Sequence, residues 1–178
     1  NALCQDLAAT LEVATRRRVA TVSREDGARR WRLVDDGGAP LGSFDVVVVA
    51  TPAPQTADLL SAAPALAERA RSCTLEPCWA VMVAFPEPLG IAFDAAFVNG
   101  SPLGWVARNS SKPGRPETEC WILHGSPEWS RTHLEEHPEV VGGELLAAFA
   151  AATGETLPPT LHRAAHRSAA FTISLNVP

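Results

Sequence analysis

No Cys-x-x-Cys pair occurs among the four cysteines, Cys4, Cys73, Cys78 and Cys120. That spacing excludes a dense disulfide framework and predicts free thiols in a reducing, cytoplasmic compartment. No apolar run approaches the roughly 20 residues of a spanning helix. The valine run at residues 46–50 and every other apolar run are far shorter, so no membrane partner is expected. There is no G-x-x-x-x-G-K-[ST], which excludes a P-loop, and no G-x-S-x-G, which argues against an α/β-hydrolase. Internal repeats and low-complexity segments are absent. Lysine is nearly so: Lys112 is the only one among 15 Lys and Arg, and with so much Ala and Pro this reads as codon bias. The net charge of −5 argues against nucleic acid as a partner. The chain opens on Asn1 rather than Met, and is expected to be a piece of a larger protein.

What is present is enough for a core: 178 residues, 46% hydrophobic, fitting one domain or two small ones. Leu3, Cys4, Leu7 and Leu11 recur at helical spacing, which predicts a helix over residues 2–12 with Asn1 as its cap. Residues 17–24 and 29–34 read as strands joined by Glu25-Asp26-Gly27. After Asp35-Asp36-Gly37-Gly38, residues 43–50 form a valine-rich run, the pattern of a strand covered on both faces. Val19 is expected on a strand beside that run. Thr51 is placed to cap a helix beginning at Pro52 and reaching about Leu60; a second helix covers residues 63–71.

Residues 79–85 are apolar on both faces, which predicts a central strand, and 93–99 form a weaker one. A short helix is expected to start at Ser130 or Thr132. A longer one starts at Pro138, buries Val141, Leu145, Ala148, Phe149 and Ala152, and ends at Gly154. Residues 171–177 are read as a strand. The fold class is α+β, with a mixed or antiparallel sheet and flanking helices.

Residues 102–136 hold three of the five Trp, two of the five His and the only Lys. Alternation predicts a hairpin of residues 104–109 and 120–124. Trp105, Ala107 and Asn109 share one side of the first strand; Cys120, Ile122 and His124 share one side of the second. Antiparallel pairing puts His124 near Trp105 and Asn109 near Cys120. Trp105, Trp121 and Trp129 fit either a cavity for a planar ligand or a core, and core is the more frequent role. The loop residues Ser110, Lys112 and Arg115 offer hydroxyl and cationic groups for an anion, and equally suit an ordinary exposed loop. This keeps a non-catalytic nucleotide- or anion-binding module as an alternative. His133-x-x-Glu136-His137 matches an inverted zinc-hydrolase pattern, but Pro138 disfavours helix at His137, and no metal is expected. Arg16-Arg17-Arg18 reads as a solvated strand start.

Four stretches in order, FDVVVVATPAPQ at residues 44–55, PCWAVM at 77–82, PLGWVARNSSKPGR at 102–115 and CWILHGSPEWSRTHLE at 120–135, resemble the bacterial renalase-like flavin oxidases. These are a branch of the flavin-containing amine oxidase superfamily. The resemblance implies that residues 1–60 are part of an FAD-binding domain, 61–165 a substrate-binding domain and 166–178 a return segment. It implies that Val19, Ala50, Thr51 and Pro52 approach FAD, and that Asn109, His124 and Trp105 face the flavin and its substrate. The implied activity is hydride transfer to FAD from a reduced nicotinamide-type nucleotide or an amine, with oxygen as final acceptor. The family's G-x-G-x-x-G is absent here, as is its C-terminal Gly-Asp segment. The chain alone is therefore expected to be inactive and not to retain FAD.

Overall fold

The computed structural model describes residues 2–25, 27 and 29–170, and places them in two units, one up to Thr74 and the other from Leu75. The first unit begins with α1 (Ala2–Ala8) and a meander of β1 (Val19–Arg24), β2 (Trp31–Asp35) and β3 (Pro40–Phe44), paired in the order β1-β2-β3. α2 (Ala53–Leu59) and α3 (Pro64–Arg71) complete it. The division after Thr74 keeps α3 with the meander.

Three expectations change here. The first helix stops at Ala8, and Leu3, Leu7 and Leu11 are exposed. β3 ends at Phe44, so most of the valine run lies outside any strand, with Val46 76% and Val48 85% exposed. A valine run suits a doubly covered strand only where neighbours cover it, and among the described residues no strand pairs with residues 45–50. Val19 sits on edge strand β1 opposite Asp35, with β2 intervening before β3, because each turn reverses the chain onto its immediate predecessor.

The second unit is a five-stranded antiparallel sheet backed by a helix. Its strands are β4 (Glu76–Phe85), β5 (Ala95–Phe97), β6 (Leu103–Arg108), β7 (Glu119–Gly125) and β8 (His162–Ala170), ordered β5-β6-β7-β4-β8. β4 is thus interior, as its doubly apolar sequence predicts. β8 arises from residues 162–170, which carry no strong strand signal; the run at 171–177 lies outside the described residues.

On one face, Trp79, Val81, Val83 and Phe85 of β4 meet Val106, Trp121 and Leu123 of β6 and β7. α5 (Pro138–Thr153) covers them with Val141, Leu145 and Phe149, at i, i+4 and i+8. Ala152, expected on that face, is exposed. Gly142 lets α5 approach β8: a Cβ there would stand 3.1 Å from Arg163 Nε.

The short α4 (Pro127–Thr132) starts earlier than expected. Ser126 caps it, its Oγ accepting from Trp129 N at 3.2 Å, and Pro127 follows at the first position. Ser130 is therefore buried within α4, where its Oγ accepts from Trp79 N at 3.1 Å. Trp79 Nε1 donates to His133 O at 2.9 Å, so α4 is pinned to β4 at two points.

Trp121 is the centre of this core. Its Nε1 donates to Glu119 Oε1 at 2.8 Å, and Phe149 and Phe93 pack on its ring at 5.1 and 5.8 Å. We expect Trp121→Ala to lower unfolding free energy by about 3–5 kcal/mol, measured by urea denaturation. Phe97→Ala, at an exposed position, should change it by less than about 0.5 kcal/mol.

Candidate functional site

In the first unit, a cavity of about 860 Å³ brings together Val19, Val22, Val47, Val49, Ala50 and Thr51. Its size lies within the range of roughly 300–1,000 Å³ typical of small-ligand sites. The meander supplies one wall; residues 47–51, running toward α2, supply another. Val19, Ala50 and Thr51, far apart in sequence, thus line one space. Pro52 is the N-cap of α2, a role expected of Thr51. Thr51 instead engages Thr56, whose Oγ1 donates to Thr51 O at 2.7 Å. Arg17, Arg18, Gln55 and Asp58 also line the cavity. Arg17 and Arg18, which the sequence presents as a solvated strand start, thus line the cavity, while Gln55 and Asp58 carry no sequence signal for it.

In the second unit, alternation divides the sheet into a core face and an open face. Glu119, Trp121 and Leu123 are buried on the first; Cys120, Ile122 and His124 lie on the second. Trp105 is directly opposite His124 in the β6–β7 register, with ring centroids 5.1 Å apart at 48°. Burial pushes the His124 imidazole below its ordinary value, so it is neutral at neutral pH. Asn109 lies near Cys120, its N donating to Cys120 O at 2.6 Å. Strand spacing puts that about 13 Å along the ladder from His124. The structure therefore brings Trp105 and His124 together and sets Asn109 apart, with its Oδ1 accepting from Lys112 Nζ at 3.1 Å.

Of the three tryptophans weighed as cavity lining, only Trp105 is on the open face. Trp121 lies in the core by strand parity, and Trp129 packs against the core while stacking on His133 at 4.1 Å. In the β6–β7 loop, Ser110 Oγ accepts from Cys120 N at 3.3 Å and Ser111 Oγ donates to Arg108 O at 3.0 Å. These hydroxyls shape the turn, while Lys112 and Arg115 are exposed. His133 and His137 belong to different helices, as the C-cap of α4 and the N-cap of α5. The shared helical face that zinc ligation would need is absent, because Pro138 starts a new helix. Among the described residues no cluster of three or more His, Cys, Asp or Glu is arranged for a metal. Burial pushes the Cys78 thiol up, which keeps it protonated and unreactive.

Comparison with known proteins gives one family and one fold. The sequence profile of flavin-containing amine oxidoreductases matches residues 1–159. Wild-type putrescine oxidase bound to putrescine aligns with TM-score 0.71 at 15% identity, over 92% of this chain and 36% of that one. A proposed protoporphyrinogen oxidase from Exiguobacterium sp. 255-15 aligns with TM-score 0.70 at 22% identity, over 97% and 40% respectively. An oxidoreductase from Methanosarcina mazei aligns with TM-score 0.57 at 15% identity, over 84% and 36%. At such identities these structures share the fold, and the chain spans less than half the length of each. Among the described residues no helix is long and apolar enough to cross a membrane.

The lowered His124 pKa sets a pH dependence. The unfolded chain takes up a proton near 6.5, where folded His124 does not, so stability rises with pH through this range. The contribution is present above about 6.5 and declines as pH falls toward the folded value. Urea denaturation at several pH values should show this slope, and His124→Gln should flatten it.

Proposed function

This chain belongs to the flavin-containing amine oxidoreductase family, and from that premise we propose that it forms part of a renalase-like FAD-dependent oxidoreductase. The unit up to Thr74 contributes to the FAD-binding domain, and the sheet unit from Leu75, with β8 paired to β4, forms the substrate-binding domain. The observation that supports this best is the cavity in which Val19, Ala50 and Thr51 meet.

The donor set fits part of a dinucleotide. Val19, Val22 and Val47 offer apolar contact to a flat base, Thr51 and Gln55 offer polar groups, and Arg17 and Arg18 offer positive charge for phosphate. FAD, when bound, supplies the acceptor for a hydride equivalent that oxygen later removes. The protein's part is orientation. Trp105 presents an aromatic surface to the substrate, and neutral His124 offers one ring nitrogen as donor and the other as acceptor. Asn109 provides a further amide. The substrate is a small molecule, a reduced nicotinamide-type nucleotide or an amine, handled in the cytoplasm.

In the longer protein carrying this chain, His124→Ala or Asn109→Ala should slow flavin reduction by on the order of 10–1,000-fold while FAD stays bound. Stopped-flow absorbance reads the rate and the flavin spectrum reads occupancy. Reduction at the parent rate in both variants would overturn the assignment of these residues. Val19→Asp, which puts a charge into the cavity wall, should instead lower FAD occupancy.

A further inference from the structure

We infer that His166, on edge strand β8, binds the phosphate of a nucleotide substrate whose other end lies at Trp105 and His124, an inference that rests on reading the open face of the five-stranded sheet as the substrate side. The register carries one row across three strands. His124 on β7 stands opposite Ala80 on β4, and Ala80 stands opposite His166 on β8. Parity along β8 agrees. Ala165 packs against the core, Arg163 lies against Gly142 of α5, and Arg167 donates to Leu134 O and to Glu135 Oε1. These alternate positions belong to the α5 side, so Ala164 and His166 belong to the open face.

Distance and height define what fits. With strands about 4.8 Å apart, the Cα atoms of His124 and His166 are about 10 Å apart. Ala80, between them, rises by a single methyl. A molecule anchored at Trp105 and His124 can therefore lie over Ala80 and bring its far end to His166, which is exposed. Donor chemistry decides what that end is. A neutral imidazole carries one N–H and a protonated one carries two, so His166 presents a donor in either state. Its strongest complement is an ionised oxygen, because such a bond is charge-assisted. Of the two substrate classes proposed above, the nucleotide carries such oxygens on its phosphate and the amine carries none. His162, the other open-face imidazole of β8, is four residues away, about 13 Å along the strand and out of reach of the same group.

The test uses the longer protein carrying this chain, with nicotinamide mononucleotide and nicotinamide riboside as probes that differ by the phosphate. Calorimetric titration should show the mononucleotide binding the parent about tenfold more tightly than the riboside. His166→Ala should erase that difference by weakening the mononucleotide alone, and its unchanged affinity for the riboside reports that the face is intact. His162→Ala, at the start of β8, should leave both affinities unchanged. Equal binding of the two probes by the parent, failure of both to bind, a difference that survives in His166→Ala, or one that His162→Ala also erases, would each overturn the inference. The flavin reading is decided by the reduction rates of the His124 and Asn109 variants and this one by affinity, so a failure of either is told apart from a failure of the other.

Discussion

The second unit depends on how the Trp121 indole is satisfied. A fully buried indole brings a large apolar surface and one obligatory donor into the core. The donor goes to Glu119 two residues earlier on the same strand, so one face of β7 supplies both partners. That carboxylate is itself nearly buried, and Arg108 on the adjacent strand answers it. Its Nε lies 3.5 Å from Glu119 Oε1, its guanidinium sits 5.0 Å over the Trp121 ring, and its Nη2 donates to Ile91 O at 2.5 Å. Phe93 and Phe149 close the remaining sides of the indole. A polar pair buried in this way specifies register, because a one-residue slip of β6 against β7 would send Arg108 and Glu119 to opposite faces.

The same constraint produces the open face. With Glu119, Trp121 and Leu123 committed to the core, Cys120, Ile122 and His124 must point the other way. With Val106 committed to the core beside Arg108, Trp105 must join His124. The chemistry-bearing face is thus the complement of the packing face. α4 adds a local anchor: Gly125 leaves room for it, since a Cβ there would lie 2.7 Å from Ser130 Oγ, the group that accepts from the backbone of β4.

Much of the hairpin was legible in the sequence. Trp105 and His124 were readable as neighbours because alternation fixes faces and antiparallel pairing fixes partners. α5 was readable between Pro138 and Gly154, which adopts a left-handed φ of 74° at its C-cap. The start of α4 was missed although Ser126-Pro127 carried the cap signal. The inner role of Ser130 was not readable, since it is defined by a strand roughly 50 residues away. The anion-loop reading of Ser110 met the same limit: its hydroxyl is occupied by a backbone donor across the hairpin.

What the sequence by itself determined was local: element type, strand parity, the helical stripe of α5 and the residues that punctuate elements. These follow from periodicities of 2 and 3.6 and from the backbone restrictions of Pro and Gly. What only the tertiary structure decided was adjacency: β2 between β1 and β3, β4 between β7 and β8, and Val19 around one cavity with Ala50 and Thr51. It also decided that residues 46–48, though composed as a buried strand, stand outside the three-stranded sheet. The reason is that valine prefers cover wherever it is offered, and the supply of that cover depends on residues far away in the chain, which local composition does not encode.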